Sequence, residues 1–484
     1  MSIKTELTKG VFWIALAKYT GVFISLGVTA ILARHISPTA FGTMAVATVI
    51  MAFLDIFTDL GIGSAIIQFK DLTARQINSL FMVSSIVGTL LSVGLYTLSN
   101  PLSHYYGDSQ LIPVCQWLSL ALIFYALNII PNGLMLKNKR FKVVALRTLS
   151  FQIISGAVAI WGALHNWGIY ALLVSPVFTS IGVFLVNFIN YPQKILFRID
   201  LGAIKKVWGY SSFQFLFNVS NYFSRNIDKL IIGKYFSMSD LGYYDKSYRL
   251  MQLPLQNITF VITPVLHPIL STLQNEKVEL AQKNTKLAVI LSQISFPLGI
   301  ILYFCASAII EIIFGSNWQP AIPIFKILSL SVPFQVVLST SGSIFLAAGK
   351  SKHLFFTGLI NTAITVSGFF IAAIFFKTIA SMAWAWDITL LGVFVNTYMI
   401  MNRYTFKSCT VSFFKSLLPQ LINSLIVVVV MLILSSSIEI SSNILLLVFY
   451  TFAIIISTAA LALLLHQYNA LTVLHSLIQK LRTE

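Results

Sequence analysis

The chain is poor in charge. Only 10% of its 484 residues are Asp, Glu, Lys or Arg, against about 25% in a soluble domain. Acids are scarcest, with 15 Asp plus Glu against 32 Lys plus Arg. With 57% hydrophobic residues, there is too little polar surface for water, so the bilayer is the solvent of most of the chain. Cysteine is sparse too. Cys115, Cys305 and Cys409 stand far apart without disulfide or zinc spacing, and read as small apolar packing residues. There is no HExxH, GxSxG or CxxC, and the seven histidines form no ligand pattern. Gly349-Lys350-Ser351 looks like the tail of a phosphate loop, but Ile344 stands where such a loop needs its first glycine. Long polar loops are missing, so any chemistry takes place in or beside the membrane. No cofactor or metal is expected, and the chain does not read as an enzyme.

What fills the sequence is apolar segments. A helix crosses the hydrocarbon with ~20 residues, and about fourteen such segments follow one another from 11–33 to 444–466. They are too long and too continuous for barrel strands. The first carries Lys18 and leads directly into further spans, so it reads as a retained helix rather than a leader. With residue 1 in the cytoplasm, nearly all Lys and Arg outside the spans fall on the same side. Only Arg34, Lys234 and Lys377 fall opposite. This bias predicts both termini cytoplasmic and an even number of spans. The net charge of +17 is then mostly topology. It is dispersed over short loops and tails, which argues against nucleic acid and suits anionic lipid head groups.

The chain also repeats itself. Residues 30–42 read AILARHISPTAFG, and residues 230–242 read LIIGKYFSMSDLG. Ile31/Ile231, Ser37/Ser237 and Gly42/Gly242 are identical, and Arg34/Lys234 and Phe41/Leu241 are alike. Basic turns at 134–141 and 345–355, and GVFLVN (182–187) beside GVFVN (392–396), extend the match. Spans one to six thus pair with seven to twelve as parallel copies. The expectation is an all-α integral membrane protein. It has two pseudo-symmetric six-helix bundles, 1–205 and 206–403, and an additional helix pair with a cytoplasmic tail, 404–484.

Ionisable groups inside spans are expensive and are functional suspects. The seventh span carries Asn218, Asn221, Tyr222, Arg225, Asp228 and Lys229, spaced by threes and fours on one face. The eighth carries Asp245, Tyr248, Arg249, Gln252 and Gln256. At the rise of a helix, Arg225, Asp228, Lys229 and Arg249 all lie within ~10 Å above the midplane. An Asp228–Arg249 or Asp228–Lys229 pair is expected, with the other cations facing a hydrated cavity. In the first copy Lys18, Asp55 and Asp59 stand just inward of the midplane, with Lys18 and Asp59 level enough for an ion pair. Lys326 and Asp387 are isolated candidates. Prolines 254, 264, 268, 297 and 333 mark bends or hinges.

Several stretches resemble the Wzx-type oligosaccharide flippases, of the polysaccharide-transport branch of the superfamily that includes multidrug extruders and the lipid II flippase. They are Lys9-Gly10 with Trp13, LARHISPTAFG (32–42), Asp59-x-Gly61 with AIIQ (65–68), Arg140-Phe141, and above all RNIDKLIIGKYFSMSDLGYYDKSYRLMQLP (225–254) with PVLHPILS (264–271). The resemblance implies alternating access through a central cationic cavity. Undecaprenyl-diphosphate-linked repeat units would cross the bacterial inner membrane for surface polysaccharide synthesis. It implies membrane lipids as surroundings, and a polysaccharide polymerase and chain-length machinery as partners. From their positions, Arg225, Lys229, Arg249 and Lys18 would face diphosphate, and Asn221, Tyr222, Gln252 and Gln256 sugar hydroxyls. Asp228, Asp245, Asp55, Asp59 and Asp387 would serve ion pairing or coupling, with H+, Na+ or no ion left open. A cation-coupled drug extruder is the alternative reading; the basic helix pair fits it less well, because such a pump relies on buried carboxylates. A membrane glycan polymerase or ligase would want a sizeable outer loop.

Overall fold

The structure is a computed structural model and describes residues 3–69, 71–194, 200–438, 440 and 442–464. Every regular element among them is helical. The chain divides into two compact units, one of Met1–Asp245 with Ile313–Asn317, the other of Lys246–Ile312 with Trp318–Glu484. The first holds α1 (Ile3–His35), α2 (Pro38–Asp59), α3 (Ile62–Gln68), α4 (Ala74–Tyr106), α5 (Leu111–Lys137), α6 (Phe141–Leu164), α7 (Ile169–Asn190), α8 (Leu201–Tyr235) and the opening turns of α9 (Met238–Ser271).

Polar caps start these helices and small residues seat them. Ser37 accepts the N–H of Ala40 ahead of Pro38 at the start of α2. Thr73 and Gln76 form a reciprocal capping box on α4. α4 buries Ser84, Gly88 and Ser92 at four-residue steps, and a Cβ on Gly88 would lie 2.1 Å from that of Ala126 on α5. Lipid offers no hydrophobic drive between helices, so such close backbone approach holds them by packing. α1 and α6 run parallel in register: Gly10 meets Phe141, Gln152 Nε2 donates to the Gly21 carbonyl at 2.7 Å, and Val28 meets Gly156.

The second unit continues along α9 and holds α10 (Lys277–Phe304), α11 (Ala306–Phe314, whose last two residues belong to the first unit), α12 (Ala321–Ser329), α13 (Val332–Leu338), α14 (Ser341–Ala347), α15 (Ser351–Ile371), α16 (Ile379–Ile400), α17 (Thr410–Ser437) and α18 (Asn443–Leu464). α17 and α18 pack on α10, burying Ile300, Cys305, Val427, Met431, Tyr450 and Ile454 together. Cys115 and Cys305 are buried, as packing residues should be, whereas Cys409 is exposed before α17.

Among the described residues eleven helices are long and apolar enough to span a membrane, or twelve if the pair Ala321–Ser329 and Val332–Ala347, bent by 46°, is one span. Large hydrophobics such as Phe23, Ile189 and Phe375 point outward, at 75%, 77% and 75% exposure, as lipid-facing side chains do. This is a multi-pass membrane protein. α8 and α9 occupy the places of the seventh and eighth expected spans. At 35 and 34 residues they are long enough to cross, although neither is among the eleven. α9 continues through Pro254, Pro264 and Pro268, and α10 through Pro297. Of the prolines singled out, only Pro333 stands at a break.

Candidate functional site

The two copies of the repeat form the same helix–turn–helix. Ser237 caps α9 as Ser37 caps α2, accepting the N–H of Asp240 at 3.1 Å, and its own hydroxyl donates to Asp240 Oδ2 at 2.6 Å. These turns dock on each other. A Cβ on Gly42 would lie 1.8 Å from the Met238 carbonyl oxygen, and one on Gly242 would lie 2.1 Å from that of Pro38. Position 42 therefore meets 238 while 242 meets 38, the reciprocal pattern of a two-fold contact. The cations beside the turns repeat it. Lys234 donates to the Tyr105 carbonyl at 2.6 Å and lies 4.0 Å from the Tyr105 ring centre. Arg34 packs on Gly315, at the turn equivalent to that of Tyr105.

Below this clasp the α8 stripe splits into two layers. Asn221 and Arg225 are exposed, one turn apart. Asp228 and Lys229 are buried at 1% and 8% exposure. The expected Asp228–Lys229 or Asp228–Arg249 pair is corrected: Lys229 pairs with Asp245 at 3.2 Å, and Asp228 accepts the Tyr244 hydroxyl at 3.0 Å. Helical phase explains this, since adjacent residues on α8 point about 100° apart. Lys229 thus sits in a buried pocket with the carboxylates of Asp228 and Asp245. Breaking such a pair leaves uncompensated charge. Lys229→Ala should lower unfolding stability by about 3 kcal/mol, and Lys229→Ala with Asp245→Asn should recover part of it, read from melting in detergent. Tyr222 is half-buried, and its hydroxyl donates to the Val49 carbonyl.

Lys18 is half-buried on α1. The Lys18–Asp59 ion pair is not formed among the described residues. Asp59 instead accepts the Gly63 N–H at 3.0 Å, bridging a break where Leu60 and Gly61 take left-handed φ of 44° and 74°. Asp55 accepts the Thr58 hydroxyl at 3.0 Å. Both acids serve local structure. A residue the sequence reading passed over lies in the same unit. Arg147 is 8% exposed, with Nη2 donating to Asn132 at 2.7 Å and Nε and Nη1 without partners. It follows closely on the basic run Lys137, Lys139, Arg140 and Lys142. Its place one turn and a half inside α6 was the available signal.

In the second unit Arg249 and Gln256 are exposed on α9 and Gln252 is half-buried. Gln252 Nε2 donates to the Tyr248 hydroxyl at 3.1 Å and to Gln335 Oε1 at 3.0 Å. Lys326 lies 5.7 Å from the Tyr303 ring centre. Asp387 is buried on α16. No cluster of three or more His, Cys, Asp or Glu suited to a metal occurs among the described residues.

The fold resembles that of the lipid II flippase MurJ in an inward closed conformation, with a TM-score of 0.73 at 14% identity, over 94% of this chain and 99% of that one. In sequence the chain is 24% identical to the teichuronic acid biosynthesis protein TuaB of Bacillus subtilis, over 87% of this chain and 88% of the relative. It is also 24% identical to the lipopolysaccharide biosynthesis protein WzxC of Escherichia coli, over 76% of each. Residues 31–323, from the first copy of the repeat to beyond the second, match the model of the polysaccharide biosynthesis protein family, and the chain belongs to that family.

Proposed function

We propose that this protein is a flippase. It carries undecaprenyl-diphosphate-linked oligosaccharide repeat units from the cytoplasmic to the outer face of the bacterial inner membrane, for assembly into a surface polysaccharide. The observation that carries this reading is the family match over residues 31–323 on a lipid-flippase-like fold. Physical chemistry sets the task. A diphosphate and its sugars cannot enter hydrocarbon, whereas the prenyl chain belongs there. The protein must therefore offer polar, cationic groups at membrane depth while leaving the tail to lipid.

Arg225 on α8 and Arg249 on α9 are such groups, both exposed. Guanidinium matches phosphate oxygens with paired donors. Exposed Asn221 and Gln256 and half-buried Gln252 are suited to hydroxyls. Lys18 adds a further cation on the first copy. Tyr222 offers its ring, since its hydroxyl is committed to Val49. Lys229 acts one layer below, held by Asp245. The product would pass to a polysaccharide polymerase and its chain-length partner.

The test is the fate of the lipid-linked unit when the gene is deleted. Repeat units should accumulate in the inner leaflet, and the wild-type chain supplied in trans should restore their outward movement. Outward movement at an unchanged rate without the protein would overturn the assignment.

A further inference from the structure

The first turns of α10 and of α17 stand side by side around a cavity of about 610 Å³ that the function above does not use. The chain reaches it from the last turns after α16. Lys407 takes a left-handed φ of 56°, uncommon for a residue with a side chain, and ends that helical run. Ser408 fixes the turn, its N–H donating to the Asn402 carbonyl at 2.9 Å and its hydroxyl to Asn402 Oδ1 at 3.1 Å. α17 then begins at Thr410, with no side chain capping its first N–H groups.

The lining has two parts. Phe406 and Phe413 are buried and, with half-buried Val289 of α10, make an apolar floor. Phe413 is stacked on Tyr398 at 4.4 Å. Gln282 and Lys286 of α10, with Lys407 and Ser412 beside the start of α17, form an exposed polar rim. The charge of this rim is of one sign. No acidic residue is in the lining. Among the described residues neither Lys286 nor Lys407 has an ion-pair partner. Glu279, at the same end of α10, is held by Lys283 at 2.9 Å.

Both helices are long and apolar enough to span the membrane, so a cavity at their first turns lies at the level of lipid head groups. The bias of Lys and Arg along the chain puts this end on the cytoplasmic side. Basic pockets between spans on that side suit anionic head groups. A free phosphate would satisfy the two ammonium groups and leave the floor facing water, whereas a phospholipid covers both parts.

We propose that this cavity binds an anionic phospholipid, with its phosphate at Lys286 and Lys407 and its glycerol and acyl end over Val289 and Phe413. The lipid would sit in the seam where the additional helix pair joins α10. The site shares no residue with the proposed head-group contacts of the carried substrate, and it does not depend on the flippase reading.

Cys409 gives a local readout. It lines the cavity and is exposed, while Cys115 and Cys305 are buried. Purified full-length protein in phosphatidylcholine nanodiscs is labelled with N-ethylmaleimide as the share of phosphatidylglycerol is raised. At about ten times the half-saturating share the site is empty about one-eleventh of the time, so labelling of Cys409 should slow about tenfold. Lys286→Gln with Lys407→Gln should abolish this protection, and either single change should weaken it. Both side chains are exposed, so these variants should melt as wild type does in phosphatidylcholine alone. Lys415→Gln, exposed on α17 but outside the cavity, should keep the protection. Protection that survives the double substitution overturns the proposal, as does an equal loss in Lys415→Gln. So does equal protection by inorganic phosphate without phosphatidylglycerol, which would assign the site to a free anion.

Discussion

Gly42→Ala should cost as much stability as any single methyl added to the repeat, on the order of 4–5 kcal/mol. The added Cβ would stand 1.8 Å from the Met238 carbonyl oxygen and 2.7 Å from its carbon. The obstacle is backbone, so no side-chain rotation relieves it. Gly242→Ala meets the Pro38 carbonyl in the same way and should lose a similar amount. The double variant should lose little more than either single one, because separating the turns once makes room for both methyls. Gly27→Ala is the control. Nothing lies within 4 Å of its Cβ, and alanine in a helix interior should gain roughly 0.5–1 kcal/mol. Melting temperatures of the four purified variants check the whole set. Additive losses at 42 and 242 would show that the two glycines do not share one contact.

Replacing Arg225 and Arg249 together by alanine should abolish polymer export while leaving the amount of protein in the membrane unchanged. Both side chains are exposed, so neither truncation opens a hole in a packed core. That distinguishes them from Lys229, whose loss is expected to act through stability. Export and abundance must therefore be measured in the same cells. Arg225→Lys with Arg249→Lys should restore part of the export, because the charge remains while the planar fork is lost. Full export by the double alanine variant would remove both residues from the proposed head-group contacts.

Much of this arrangement is written in the sequence, and the limits are physical. The repeated turn is legible because capping and glycine approach are local requirements: Ser37 and Ser237, Gly42 and Gly242 stand at matching positions and do the same work. The polar stripes of α8 and α9 are legible because ionisable residues in apolar helices are conspicuous. Which of them pair is not, since a partner depends on helix rotation. Asp245 took Lys229, and Tyr244 took Asp228. Asp59 read as an ion-pair partner but caps a short helix through Gly63, because the break at Leu60–Gly61 turns the chain there. Arg147 was hidden by its basic neighbours. The break before Val332 left only Pro333 as a hint, and nothing in the sequence marked it apart from prolines that α9 carries without breaking.

The reciprocal clasp also bears on how such a chain arose. A contact in which position 42 meets 238 and position 242 meets 38 is one that two identical molecules could make with one glycine each. A half-length ancestor bearing this turn could close on a second copy of itself, and a single change at its glycine would damage both sides at once. In one chain that carries both copies those fates are separate. Each glycine is independently mutable, and the halves are free to differ, as they do at Arg225 and its counterpart Ser25 and at Asp228 and its counterpart Val28. The contact at the turns is symmetric because both sides need the same close approach, a requirement that does not extend to the charges along the helices.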